Sequence, residues 1–346
     1  MSQLYPLLFH PNLHQLVWGS NRIREWKGLS DAIDNIGESW EVSAVKGKES
    51  IISNGDLAGK NLREICEEYG ERLIGKTAWK AYDGKFPVLA KFIGAETDLS
   101  IQVHPDDVLA KERHDSLGKN EMWYIIDNKP GAKLFSGFKK HITKDEYKEH
   151  VVAGTICDTL QEHAIRKGDM FYIPAGRVHA IGGGILLAEI QQSSDITYRI
   201  YDYNRKGLDG KPRELHTEQA VDAIDFNVEK DYKTHYSIRH NKPSHAITCP
   251  FFQINILDIN NKTIRHLKKC DSFIIYMCLK GACTIYPEQD KSKAITIQEG
   301  FSCLIPAEIA DVVVTPAEGH EDACMLESFI DNYKPWYKRF MLRSVF

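Results

Sequence analysis

One stretch of this chain occurs twice, and that limits what it can fold into. GDMFYIPAGRVH (168–179) returns as GFSCLIPAEIAD (300–311), keeping a glycine, five residues, a proline and four more residues before His179 or Asp311, at a displacement of 132 residues. Upstream, EMWYII (121–126) followed by Gly131 and Ala132 is matched by DSFIIY (271–276) followed by Gly281 and Ala282, at a displacement of 150. The surplus in the first copy coincides with TKDEYKEHVV, where Thr143 and Glu146 have the spacing of a helix capping box. A helical insertion into one of two related units accounts for it. The boundary is expected near the polar stretch His240–Ser244, giving units of 1–240 and 245–346.

Both units read as β. KFPVLAKFIG, LSIQVHP, EMWYIID, DMFYIPAG, GILLAEIQQ, FFQINILDI, SFIIYMCL, AITIQEG and ADVVVTP are short apolar runs cut by Gly, Pro, Asn and Asp, the mark of a sandwich or barrel. Helical spacing is confined to NLREICEEYGERLIG with a stop at Gly75, to TKDEYKEHVV and to HTEQAVDAID. At 346 residues and 42% hydrophobic content, two well-filled cores are affordable. A net charge of −4 gives no basic field for nucleic acid or an anionic membrane. The longest apolar run, Phe273 to Leu279, is far short of a membrane span, and the N-terminus lacks a basic region of the signal-peptide kind, so a cytoplasmic protein is expected. Eight dispersed cysteines with no CxxC pair read as free, mostly buried thiols.

The first copy holds the chemistry. Gln102 and His104 are two apart on a short strand and leave the same face. Glu121 opens the next strand, and His179 follows the turn at Pro174 and Gly176. Two imidazoles, one carboxylate and one amide suit Zn²⁺ and also admit Mn²⁺, Fe²⁺ or Co²⁺. A single carboxylate leaves the dication net positive and therefore Lewis-acidic, and no cysteine stands by to close a structural zinc site. In the second copy His179 is matched by Asp311 and Glu121 by Asp271, so its ligands are expected to have drifted.

The 168–179 stretch resembles the second metal-binding motif of the cupin superfamily. With LSIQVHPDD, GKNEMWYII, PAGRVHAI and EIQQSSDITYRIYDYNR, the chain from Trp18 and Gly19 to about Asn204 resembles the short bacterial class I mannose-6-phosphate isomerases. The resemblance implies two jelly-roll barrels, mainly β with few short helices, and one zinc per chain on Gln102, His104, Glu121 and His179. It also implies that the essential arginine is Arg199 and that the large helical insertion of eukaryotic members is missing. Ser20 departs from the family, which usually has glycine there.

The implied reaction interconverts mannose 6-phosphate and fructose 6-phosphate by moving a proton between C2 and C1 through a cis-enediol. Arg199 cannot serve as an ordinary base, since its guanidinium stays protonated, and is expected to stabilise the enediolate or position substrate. Glu189, on a strand facing a barrel interior, is the expected acid/base group. Lys119 can reach the same cavity and bind substrate, with Ser100 and Lys91 as further phosphate contacts. No phosphate loop or dinucleotide fingerprint occurs, so no nucleotide is expected. The alternatives are an Fe²⁺ cupin oxygenase and a catalytically silent sugar-phosphate sensor or store. A monomer is the default, since no pairing surface can be read.

Overall fold

The computed structural model describes residues 3–30, 33–267 and 270–330. All nine apolar runs are strands, and the architecture is mainly β. Among the described residues no helix is long and apolar enough to cross a membrane. All eight cysteines are free thiols.

The chain divides into two compact units that are not continuous in sequence. One is built from Leu13–Ser39 and Ala90–Thr234, the other from Trp40–Leu89 and the chain from His235 onward, together with the segment up to Asn12. The changeover at His235 lies close to the expected boundary. The assignment of all of 1–240 to one barrel does not match this division: Leu7–Leu8 pairs with Ser302–Ile305, and Phe9 bridges Ile52, so early segments complete the later unit. The last part of the expected second barrel, 331–346, lies outside the described residues.

The first unit has two antiparallel sheets. One runs Tyr198–Tyr201, Ile101–Val103, His179–Ile181, Lys133–Phe138 and Leu160–Ala164 in spatial order. The other runs Lys233–Thr234, Met170–Ile173, Glu121–Asn128, Ile185–Gln192, Val88–Ala95, Ile36–Val42 and Asn12–Ser20. Strand alternation sends Trp123, Ile125 and Leu187 of one sheet and Leu134 and Ile181 of the other into a shared core. The opposite face of the smaller sheet is sealed by Tyr147 of the helix Lys144–Ala153 and by Ala220 and Val221 of Thr217–Ala223. Thr143 and Glu146 form the capping box expected of them. Ser20 accepts a hydrogen bond from Arg22 N–H, starting the turn into Arg22–Trp26.

In the second unit the strand Ile274–Pro287 is the hub, pairing with Ser302–Ile305, Ala323–Phe329, Ile295–Gln298 and Asp311–Pro316. Its core holds Ile274, Tyr276, Cys278, Cys283, Val312 and Met325. The helix expected over NLREICEEYGERLIG is interrupted: Leu62–Tyr69 stops at Gly70, whose φ of 50° breaks the run before Glu71–Ile74.

The expected partners of the ligands are corrected by this geometry. Asp271 is a helix cap, accepting hydrogen bonds from the backbone N–H groups of Lys76 and Thr77. Asp311 pairs with the largely exposed His266. Matching the units by cross-strand pairs, Trp123–Glu189 corresponds to Tyr276–Glu327 and Gln102–His179 to Arg265–Val312. The inward position equivalent to Glu121, opposite Gln191, is then Ile274, opposite Phe329. Where the first unit has an amide, a carboxylate and an imidazole, the second has Arg265, Ile274 and Val312.

Candidate metal centre

The smaller sheet of the first unit sets a row of side chains on one face: Arg199 stands opposite Gln102, Gln102 opposite His179 and His179 opposite Ser136. The larger sheet supplies Glu121, opposite Gln191. His104, Glu121 and His179 bring one ligand atom each to within 4.8 Å of one another, and all three are buried. Glu121 Oε2 is 3.3 Å from His104 Nε2, and Glu121 Oε1 is 3.4 Å from His179 Nε2. The Gln102 amide reaches to 3.3 Å from His179 Nε2.

The backbone sets the tautomers. His104 Nδ1 is 2.9 Å from the Ile196 carbonyl and His179 Nδ1 is 2.8 Å from that of Arg177, so each Nδ1–H donates outward and each Nε2 lone pair faces the cavity. Burial, helped by the Lys119 charge, pushes His104 down to about 3, and burial lowers His179 as well. Both imidazoles are therefore neutral. Burial alone would raise Glu121, but the Lys119 ammonium beside it pulls the other way, and the carboxyl is held well below its ordinary range. Lys119 Nζ donates to His104 Nε2 at 2.8 Å and to Glu121 Oε2 at 2.7 Å.

This donor set fits a metal. Glu121 Oε1 is buried without a hydrogen bond and faces another lone pair, a repulsive arrangement that a cation relieves. Ser136 Oγ, Gln191 Oε1 and Arg199 Nε, all on or beside the same row, are also buried without hydrogen-bond partners. Sequence reasoning missed Ser136 and Gln191, although alternation puts Gln191 on the face of Glu189.

The remaining expected residues fall around this centre. Arg199 Nη1 donates to the Glu214 carbonyl at 2.8 Å, while Asp202 is engaged by Arg205 and Arg213. Glu189 sits one cross-strand pair deeper than Glu121: its Oε2 accepts from Trp123 Nε1 at 2.7 Å, and Lys91 Nζ lies 2.8 Å from its Oε1. Burial, reinforced by Glu121, raises the Glu189 carboxyl against the pull of Lys91. Burial works against the Lys91 charge too, but Glu189 and Glu38 outweigh it and raise that lysine. With Glu121 and Glu38 also acting on the single Lys91 ammonium, the lysine stays charged and Glu189 is the carboxylate with most reason to take up a proton. Trp123 sets its edge against His179, with centroids 5.3 Å apart. Ser100 is buried, its Oγ 3.5 Å from Gln102 Oε1.

The chain is thus a mainly β protein of the cupin type, with two units, one of which carries a buried cluster of two histidines and a glutamate that could hold a metal ion. Residues 7–139 match the catalytic domain of type I phosphomannose isomerase. The chain is 36% identical over 250 residues to a mannose-6-phosphate isomerase of Streptococcus mutans, covering 72% of this chain and 77% of that protein. It is 41% identical over 222 residues to a probable mannose-6-phosphate isomerase of Bacillus subtilis, covering 64% of this chain and 68% of the relative. The crystal structure of a mannose 6-phosphate isomerase from Bacillus subtilis superposes with a TM-score of 0.83 at 30% identity, covering 94% of this chain and 99% of that one. The chain belongs to the type I phosphomannose isomerase family.

Proposed function

We propose that this protein is a zinc-dependent aldose–ketose isomerase that interconverts mannose 6-phosphate and fructose 6-phosphate through a cis-enediol. The observation that carries the reading is the inward-facing set of His104 Nε2, His179 Nε2 and Glu121 Oε1, beside an arginine whose buried Nε has no hydrogen-bond partner. His104, Glu121 and His179, with Gln102 as fourth ligand, would hold the metal, one per chain. Bound there, zinc supplies a Lewis acid that stabilises negative charge on oxygen next to the carbon losing its proton.

The chain's own groups do the rest. Glu189 carries the proton between C2 and C1, a role favoured by the upward shift of its carboxyl. Arg199, on the face of Gln102, stabilises the enediolate or orients the substrate. Lys119, with its ammonium among the ligands, engages substrate oxygens, and Ser100, next to the ligand strand, and Lys91, on the larger sheet beside Glu189, are the further phosphate contacts. The test is a coupled assay of fructose 6-phosphate formation together with metal analysis. Arg199→Ala is expected to lower turnover while zinc stays bound, and an unchanged rate refutes its role. Oxygen uptake under Fe²⁺ with no isomerisation would replace this reading with an oxygenase.

A further inference from the structure

Resting on the metal-site reading above, we infer that Asn120, between Lys119 and Glu121, is a positioning residue that holds this pair in register with the turn leading to His179. Asn120 is nearly fully buried and all its polar groups are used. Its backbone N–H and side-chain Nδ2 both donate to Gln192 Oε1, at 3.0 and 2.7 Å. Its Oδ1 accepts from the Ala175 N–H at 3.0 Å and from the Tyr172 hydroxyl at 3.1 Å. Its carbonyl accepts from the Gln192 N–H at 3.1 Å.

The contacts continue to the third ligand-bearing segment. Gln192 Nε2 donates to Asp107 Oδ1 at 2.9 Å, and the Gly118 N–H donates to the same oxygen at 2.8 Å. Gly118 is needed there, because a Cβ would lie 2.5 Å from the Asp107 nitrogen. Lys119 N–H donates to the Pro105 carbonyl at 3.1 Å and Gly176 N–H to that of His104 at 2.9 Å. The segments carrying His104, Glu121 and His179 are thus cross-linked by hydrogen bonds, and Asn120 is the side chain that joins the second to the third. The amide donates to Gln192 through Nδ2 while accepting from Ala175 and Tyr172 through Oδ1. Neither an alanine nor a carboxylate does both.

Holding ligands in place before the metal arrives removes an ordering cost from binding, and loss of such outer contacts costs about 10–100-fold in metal affinity or activity. Asn120→Ala, Asn120→Asp and Tyr172→Phe, compared with wild type by chelator competition for zinc and by kcat and KM, test the role. Asn120→Ala is expected to weaken zinc about 10-fold or more and to lower kcat with KM within about threefold. Asn120→Asp keeps the acceptor for Ala175 and Tyr172 but turns its second carboxylate oxygen onto Gln192 Oε1, so it is expected to lose zinc affinity at least as far as Asn120→Ala. Tyr172→Phe, losing one bond, is expected to fall nearest wild type. Zinc affinity within twofold of wild type in Asn120→Ala or in Asn120→Asp overturns the inference. Chelator competition needs no turnover, so a wild type that binds zinc but does not isomerise fails the functional reading alone, and the affinities still decide the role of Asn120.

Discussion

Glu189 and Glu327 occupy matching positions on the inner walls of the two units, and each accepts a hydrogen bond from the aromatic residue opposite, Trp123 or Tyr276. Their electrostatic fates are opposite. Glu327 also accepts from Asn255 and from Nε and Nη2 of Arg265, each at 2.8 Å. Burial would raise it, but Arg265 outweighs burial and the carboxyl is lowered. Glu189 has a lysine and a second carboxylate, Glu121, as neighbours, and it is raised. The same scaffold position thus gives a lowered carboxyl in one unit and a raised one in the other. The difference lies in the neighbours: Arg265 pairs with Glu327 through two hydrogen bonds, whereas the Lys91 ammonium beside Glu189 is shared with Glu38 and opposed by the charge of Glu121.

The contrast can be broken most severely at Glu189. Glu189→Gln keeps the shape and removes the proton exchange, and turnover is expected to fall by roughly 10²–10⁴-fold with the protein folded and metal bound. A loss under tenfold would make Glu189 a wall residue like its counterpart. Arg265→Ala should act on stability: leaving Glu327 buried and unpaired is expected to cost about 3–5 kcal/mol in denaturant unfolding, with little change in turnover per folded molecule at permissive temperature. The smallest effect is the acid limb of stability. Because Glu327 is lowered in the folded state, its contribution is present above the unfolded carboxyl value of about 4.3 and is lost as pH falls through the folded value. Thermal midpoints from pH 7 to 3 should therefore fall less steeply for Glu327→Gln than for wild type, and parallel curves would show that Glu327 is not titrating differently in the folded state.

Much of this was legible because short-range rules governed it. The two-residue spacing of Gln102 and His104, the strand at Glu121 and the turn before His179 depend on alternation and turn chemistry, and the four side chains do converge. Aligning the copies by Gly-x5-Pro frames located the strands but mispaired the wall. The frame matches turns, and a shift of one residue sends a side chain to the opposite face, so His179 was set against outward Asp311 in place of inward Val312. Asp271 misled for a related reason: it ends a turn, three residues before the strand position that replaces Glu121. The Asn120 contacts were invisible because they reach 52 to 72 residues along the chain, and no local pattern reports such pairs.

The discontinuous weave of the units also bears on how the chain is made. All segments of the unit that carries His104, Glu121 and His179 are available once Thr234 has emerged from a ribosome, so that unit can close while synthesis continues. Leu7–Leu8 and the helices from Leu62 to Ala81 must wait for Ser302–Ile305 and its neighbours. At about 5–20 residues per second that wait lasts on the order of ten seconds to a minute. During that interval the apolar face of Leu62–Tyr69 and the edge of Leu7–Leu8 that pairs with Ser302–Ile305 stand open to other contacts.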